Sequence, residues 1–117
     1  MEHDEALLLD MYLAAADAIS FTDELDEASF RGSRLHQNAV IRSLEVIGEA
    51  AGRISPTFSD AHPEIPWRDI TGMRHRLIHG YGEVRLDIVW AVARDRLPAL
   101  LAVLRPLIPP DRSDTSS

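Results

Sequence analysis

"NAVIRSLEVIGEAAGRIS", residues 38–55, decides the fold class. Val40, Leu44, Ile47, Ala51 and Ile54 recur at steps of four and three, the period of a helix with one buried face. Arg42, Glu45, Glu49 and Arg53 follow the same spacing on the other side, a pattern that suits a solvated face laced with helix ion pairs. A helix is therefore predicted from about Ser33 to Ile54.

The same period extends outward in both directions. Toward the N-terminus, Leu8, Met11, Tyr12, Ala15, Ala18 and Ile19 form one stripe, with Asp10 and Asp17 opposite. Asp4 and Glu5 suit a helix N-terminus through the backbone dipole. Toward the C-terminus, Pro56, Pro63 and Pro66 mark a loop that ends where "PWRD" (66–69) starts a third helix. Gly80 and Gly82 are expected to end that helix. A fourth helix runs from about Leu86 with Val89, Ala93, Leu97, Leu100 and Leu104 as its buried stripe, and Pro98 should kink it or start a new helix. No strand pattern or internal repeat is visible. The expectation is an all-α, up-and-down bundle of four to five helices over residues 1–108, followed by a disordered tail, 109–117.

Bulk properties narrow the function. A chain of 117 residues with 45% hydrophobic and 26% charged residues reads as one globular domain with a real core. The absence of cysteine excludes disulfides, thiol nucleophiles and cysteine zinc sites. The N-terminus opens with acids, unlike a signal peptide, and no apolar run approaches the ~18 residues of a membrane span. A cytoplasmic protein with no membrane partner is expected. Net charge is −7, which argues against broad nucleic-acid affinity. The charge is uneven, however. Nine carboxylates and no Lys or Arg fall in the first 30 residues, whereas Trp67 to Arg85 holds four arginines against two carboxylates. All 12 basic residues are arginine, the better fork for phosphate and carboxylate. Aromatic residues are sparse, and none forms an evident platform for stacking single-stranded bases.

The arginine-rich stretch centres on "GMRHRLIHGYG", residues 72–82. On an ideal wheel Trp67, Ile70, Met73 and Leu77 share one side, and Arg74 falls inside that apolar arc. An unpaired buried guanidinium is costly, so either Arg74 meets an anion or a cleft, or its stem packs while its head reaches water. His79, just before Gly80, reads as a helix C-terminal histidine, where the dipole favours the imidazolium. His75 and His79 have the spacing of two metal ligands on one helix, but no third ligand accompanies them, so neither metal nor cofactor is expected.

"RHRLIHGY" (74–81) places four residues between Arg74 and His79 and one between His79 and Tyr81. This resembles the signature of HepT-like toxins in the HEPN superfamily. "NAVIRSLEVIGEAAGRIS" resembles the family's second helix, "IPWRDITGM" the lead-in, and "RLDIVWAVARDRLPAL" the helix that follows. The resemblance covers about residues 5–105. It implies a metal-independent endoribonuclease, the toxin of a type VII toxin–antitoxin module whose antitoxin is an MntA-like minimal nucleotidyltransferase. Arg74 and His79 match the catalytic pair, and Tyr81 matches the tyrosine that such antitoxins modify with AMP. His75 stands where the family often has Asn or Asp; His75 and Arg76 are candidate supporting residues.

The residues suit that chemistry. Metal-free RNA cleavage needs proton transfer at the 2′-hydroxyl and the leaving 5′-oxygen, with cationic donors on the phosphate. His79 can move the protons and Arg74 can clamp the phosphate. One chain offers one such histidine, and the wheel sets Arg74 and His79 ~140° apart. A homodimer pooling two of each across one cleft resolves both problems. An adenylate on Tyr81 would then repel RNA and fill the cleft. The rivals are a non-catalytic helical module binding a nucleotide or protein through the same residues, and a purely structural helical protein. Neither the class of RNA, tRNA or mRNA, nor the cleaved base is specified.

Overall fold

The computed structural model describes residues 2–79 and 83–109. Four long helical units carry the architecture: α1 (Glu2–Asp23), α3 (Arg34–Arg53), α5 (Trp67–Leu77), and a final unit built from α6 (Leu86–Ala91), a π-helical turn (Val92–Arg96) and α7 (Leu97–Leu104). Short helices α2 (Glu27–Arg31) and α4 (Pro56–Ala61) join the first three units. α1 packs along α3, α5 packs on α3, and α7 on α1. The all-α expectation holds. Among the described residues no helix is long and apolar enough to cross a membrane.

The predicted stripes are the core. Leu8, Met11, Ala15 and Ala18 of α1 are buried, as are Val40, Leu44, Ile47 and Ala51 of α3 and Ile70, Met73 and Leu77 of α5. Val89, Ala93, Leu97, Leu100 and Leu104 are buried along the last unit. α3 starts one residue after its expected beginning because Ser33 is the N-cap, its hydroxyl accepting from the His36 N–H at 3.2 Å. Ile54 is the C-cap.

Two short helices add to the predicted ones: α4 lies within the stretch expected as a loop, and α2 within a stretch for which the sequence gives no expectation. In α2, Asp26 caps the Ser29 N–H at 2.8 Å, and the helix is anchored by Phe30, wholly buried with its ring 5.4 Å from that of Trp90. Burying such a ring stabilises by about 1.5–3 kcal/mol, enough to hold a helix too short to stand alone. In α4, Ser55 caps the Phe58 N–H at 3.2 Å and Pro56 opens the first turn, so the first proline of the supposed loop starts a helix.

Pro98 acts as expected, with a detail the wheel does not show. α7 begins at Leu97, and the preceding turn is π-helical: the Leu97 N–H donates to the Val92 carbonyl five residues back. Proline lacks an N–H and its ring crowds the carbonyl four residues earlier, so a widened turn just before it relieves both. That turn carries Arg94 toward α1. Its Nη1 donates to Thr22 Oγ1 at 3.0 Å and to Asp23 Oδ1 at 2.8 Å. α1 has no basic residue in its last turn, so Arg94 brings positive charge to that C-terminus from another helix.

The third long helix ends earlier than expected. α5 stops at Leu77, and Ile78–His79 pairs antiparallel with Glu83–Val84, Ile78 opposite Val84 and His79 opposite Glu83. Gly80 and Gly82, expected as the helix stop, lie outside the described residues, as does the expected tail from residue 110 onward.

Candidate active site

α5 positions the arginine-rich stretch. Its apolar face is pinned to α3 by Ile70, Met73 and Leu77, all buried. Its start is set by Pro66, whose carbonyl accepts from the Ile70 N–H at 3.0 Å, and by Trp67, whose indole Nε1–H donates to the His62 carbonyl at 3.0 Å. Arg74, His75 and Arg76 fall in the last turn of this helix, and His79 falls in the two-residue strand beyond it. The side chains of these four residues, and Tyr81 altogether, lie outside what is described. His79 is therefore not a helix C-terminal residue. The backbone leaves the helical path after Leu77, so neither the dipole argument for His79 nor the ~140° wheel angle to Arg74 applies. The physical reason is the ladder to Glu83 and Val84, which takes up backbone groups that would otherwise continue or terminate the helix.

Two cavities flank α5. The larger, about 610 Å³, runs between α5 and the α6–π–α7 unit, with Ile47 of α3 among its lining residues. Ile70, Met73, Ile88, Val92, Leu100 and Val103 give it an apolar lining, while Glu64, Asp69, Asp87, Asp95 and Arg96 contribute charge. Asp87 also holds Arg85 through two contacts of 3.1 and 3.2 Å, and the guanidinium keeps the Asp87 carboxyl below its ordinary range.

The smaller cavity, about 460 Å³, lies at the α4–α5 corner and is lined by Ser59, Asp60, Trp67, Arg68 and Asp69 with Pro63, Ile65 and Pro66. Beside it three rings meet, Phe58 and His62 four positions apart at the end of α4 and Trp67 at the start of α5. Phe58 stacks on His62 with centroids 4.2 Å apart and meets Trp67 nearly at right angles at 6.2 Å. His62 Nδ1 is 3.2 Å from the Glu64 carboxylate, whose pKa is lowered first by its own backbone N–H and then by the imidazole. No run of aromatic residues in the sequence announces this cluster; the only local signals are the Pro-Trp step and the short spacing of Phe58 and His62.

Comparison with known proteins places the chain in a family. The family model described as "Ribonuclease HepT-like" matches residues 11–107, which span α5, both cavities and the Arg74–Tyr81 stretch. "Putative RNase MJ1380" of Methanocaldococcus jannaschii is 34% identical over 96 residues, covering 82% of this chain and 88% of that protein. "Probable ribonuclease HepT" of Thermococcus cleftensis is 42% identical over 80 residues, covering 68% of this chain and 73% of that one. "Putative RNase MJ0127" of Methanocaldococcus jannaschii is 36% identical over 93 residues, 80% and 77% of the two chains. No solved structure matches. On the strength of a match that runs through nearly the whole helical bundle, the chain belongs to the HepT-like ribonuclease family of the HEPN superfamily.

Proposed function

We propose that this protein is a metal-independent endoribonuclease, the toxin of a HepT/MntA-type toxin–antitoxin module. The single observation that carries the proposal is the Arg74–His79–Tyr81 spacing retained within a chain of HepT-like fold. Relatives named as ribonucleases support the activity class.

The reaction uses the RNA 2′-hydroxyl as nucleophile. The 2′-oxygen forms a bond to phosphorus, the bond to the 5′-oxygen breaks, and the products are a 2′,3′-cyclic phosphate and a 5′-hydroxyl. One imidazole takes the 2′-proton and one supplies a proton to the leaving oxygen; Arg74 guanidinium groups stabilise the charge that builds on the phosphate. A single chain brings one His79, so the site is composite, assembled by a homodimer that pools Arg74 and His79 from each copy. The apolar groove beside α5 supports this arrangement, because Ile88, Val92 and Val103, all partly exposed, line a cleft that a second copy would shield from water. An MntA-like nucleotidyltransferase silences the toxin by adenylylating Tyr81: the phenol oxygen, giving up its proton, bonds to the α-phosphorus of ATP and pyrophosphate leaves, placing a negative group two residues from His79.

The test is cleavage of RNA by the purified chain in the presence of a chelator, alongside growth of cells expressing it. Arg74→Ala and His79→Ala should each lower cleavage by about 10²-fold or more and relieve the growth defect. Undiminished cleavage and equal toxicity in both variants would return the protein to a non-catalytic binding module.

A further inference from the structure

The cavity at the α4–α5 corner has three properties of a site for a planar ligand. First, it has a fixed aromatic wall. Trp67 is half-buried, its Nε1–H is engaged by the His62 carbonyl at 3.0 Å, and Phe58 stands nearly perpendicular to it at 6.2 Å. Phe58 is in turn stacked on His62 at 4.2 Å. An indole whose donor edge is already used offers stacking and little else, and it loses little rotamer freedom on binding. Second, the volume of about 460 Å³ lies in the range of small-ligand pockets. Third, the charged lining comprises the carboxylates of Asp60 and Asp69 and the guanidinium of Arg68, with Asp60 and Arg68 both exposed.

We propose that this cavity is a nucleobase subsite, in which Trp67 stacks on a guanine of single-stranded RNA and the Asp60 carboxylate accepts from the N1–H and N2–H of that base. Among the four bases, guanine alone sets two adjacent donors on one edge, which matches the two oxygens of a carboxylate. Its O6 and N7 acceptors suit an arginine. Stacking plus Watson–Crick-edge contacts is how proteins read unpaired RNA. The location follows from α5 itself. Positions 67 and 74 are seven residues apart on one continuous helix, so they share a face within ~20° and lie ~10 Å apart along its axis. That distance is about three stacked nucleotides at ~3.4 Å each. The subsite rests on the ribonuclease proposal for its RNA substrate, but not for its affinity for the base.

Two measurements separate the claims. In a Trp90→Phe background, which leaves Trp67 as the sole indole, guanosine 5′-monophosphate should quench fluorescence saturably at millimolar concentration or below, and cytidine 5′-monophosphate much more weakly. Asp60→Asn, at an exposed position that spares the core, should weaken the guanosine nucleotide by about tenfold, within the range for loss of a bidentate base contact. Flat titrations with every nucleotide, or equal affinity in Asp60→Asn, overturn the subsite whether or not the protein cleaves RNA. Fragment sequencing should show guanine enriched about three nucleotides from the cut and the enrichment lost in Asp60→Asn; cleavage with no base preference near the cut also overturns it. Absence of cleavage by the native chain removes the ribonuclease proposal and leaves the titration to judge the subsite.

Discussion

Asp4 and Ser55, separated by 51 positions, are joined by two hydrogen bonds: the Ser55 N–H donates to Oδ1 at 2.9 Å and the Ser55 hydroxyl donates to Oδ2 at 2.6 Å. Asp4 is only 3% exposed, and Ser55 is the N-cap of α4, so a residue suited to a dipole role at the start of α1 also ties that start to the α3–α4 corner.

Removing this tie should destabilise the fold. Asp4→Ala strands the Ser55 donors and is expected to cost about 1–3 kcal/mol in urea unfolding at neutral pH. The Ser55 hydroxyl and N–H hold the Asp4 carboxyl below its ordinary value of 3.8. A lowered folded-state pKa means stability that is present above the unfolded value and is lost as pH falls through the folded one. Native stability should therefore decline below about pH 4, and Asp4→Asn should make that acid limb shallower. An unchanged limb would show that folding does not lower the Asp4 pKa.

Arg94→Ala should lower the melting temperature by removing the contacts to Thr22 Oγ1 and Asp23 from the end of α1. Asp23 is over half exposed, so the ion pair itself contributes little; the expected loss of about 1 kcal/mol comes from the Thr22 contact and the helix terminus. Arg94→Lys should restore only part of it, because a single ammonium lacks the guanidinium fork.

A charge placed in the groove beside α5 tests the homodimer. Val103→Arg should leave helical content and melting temperature near native, since Val103 is only half-buried, while shifting sedimentation to the monomer and reducing RNA cleavage at least about tenfold. A dimer that persists with full activity would move the interface elsewhere.

Tyr81→Phe should remain toxic when expressed alone and escape silencing when an MntA-like nucleotidyltransferase is co-expressed, because the acceptor hydroxyl is gone. Equal silencing of the Phe variant, scored by growth and by mass of the purified toxin, would put the modified group at another residue.

Long amphipathic helices were legible because their information is local. Val40 to Ile54 repeats the helical period over four turns, and Ser33 sits where a cap is needed, so α3 was delimited to within a residue at its N-terminal end. The stripe from Val89 to Leu104 was legible for the same reason, even across the π turn. The helices α2 and α4 were not, because five or six residues hold too little period to read; they exist through a cap and, in α2, one buried ring from afar.

The Arg74, His79 and Tyr81 candidates came from the sequence through its resemblance to the HepT-like signature, carried by their spacing and the blocks that flank them. Only the tertiary structure ended α5 at Leu77, since Ile78 and His79 pair antiparallel with Val84 and Glu83 instead of continuing the helix. Only packing brought Trp67 against Phe58 and sent Asp4 to Ser55. Periodicity reports which face of a segment is buried. It is silent about which distant group meets that face, because that choice depends on how the helices close on one another.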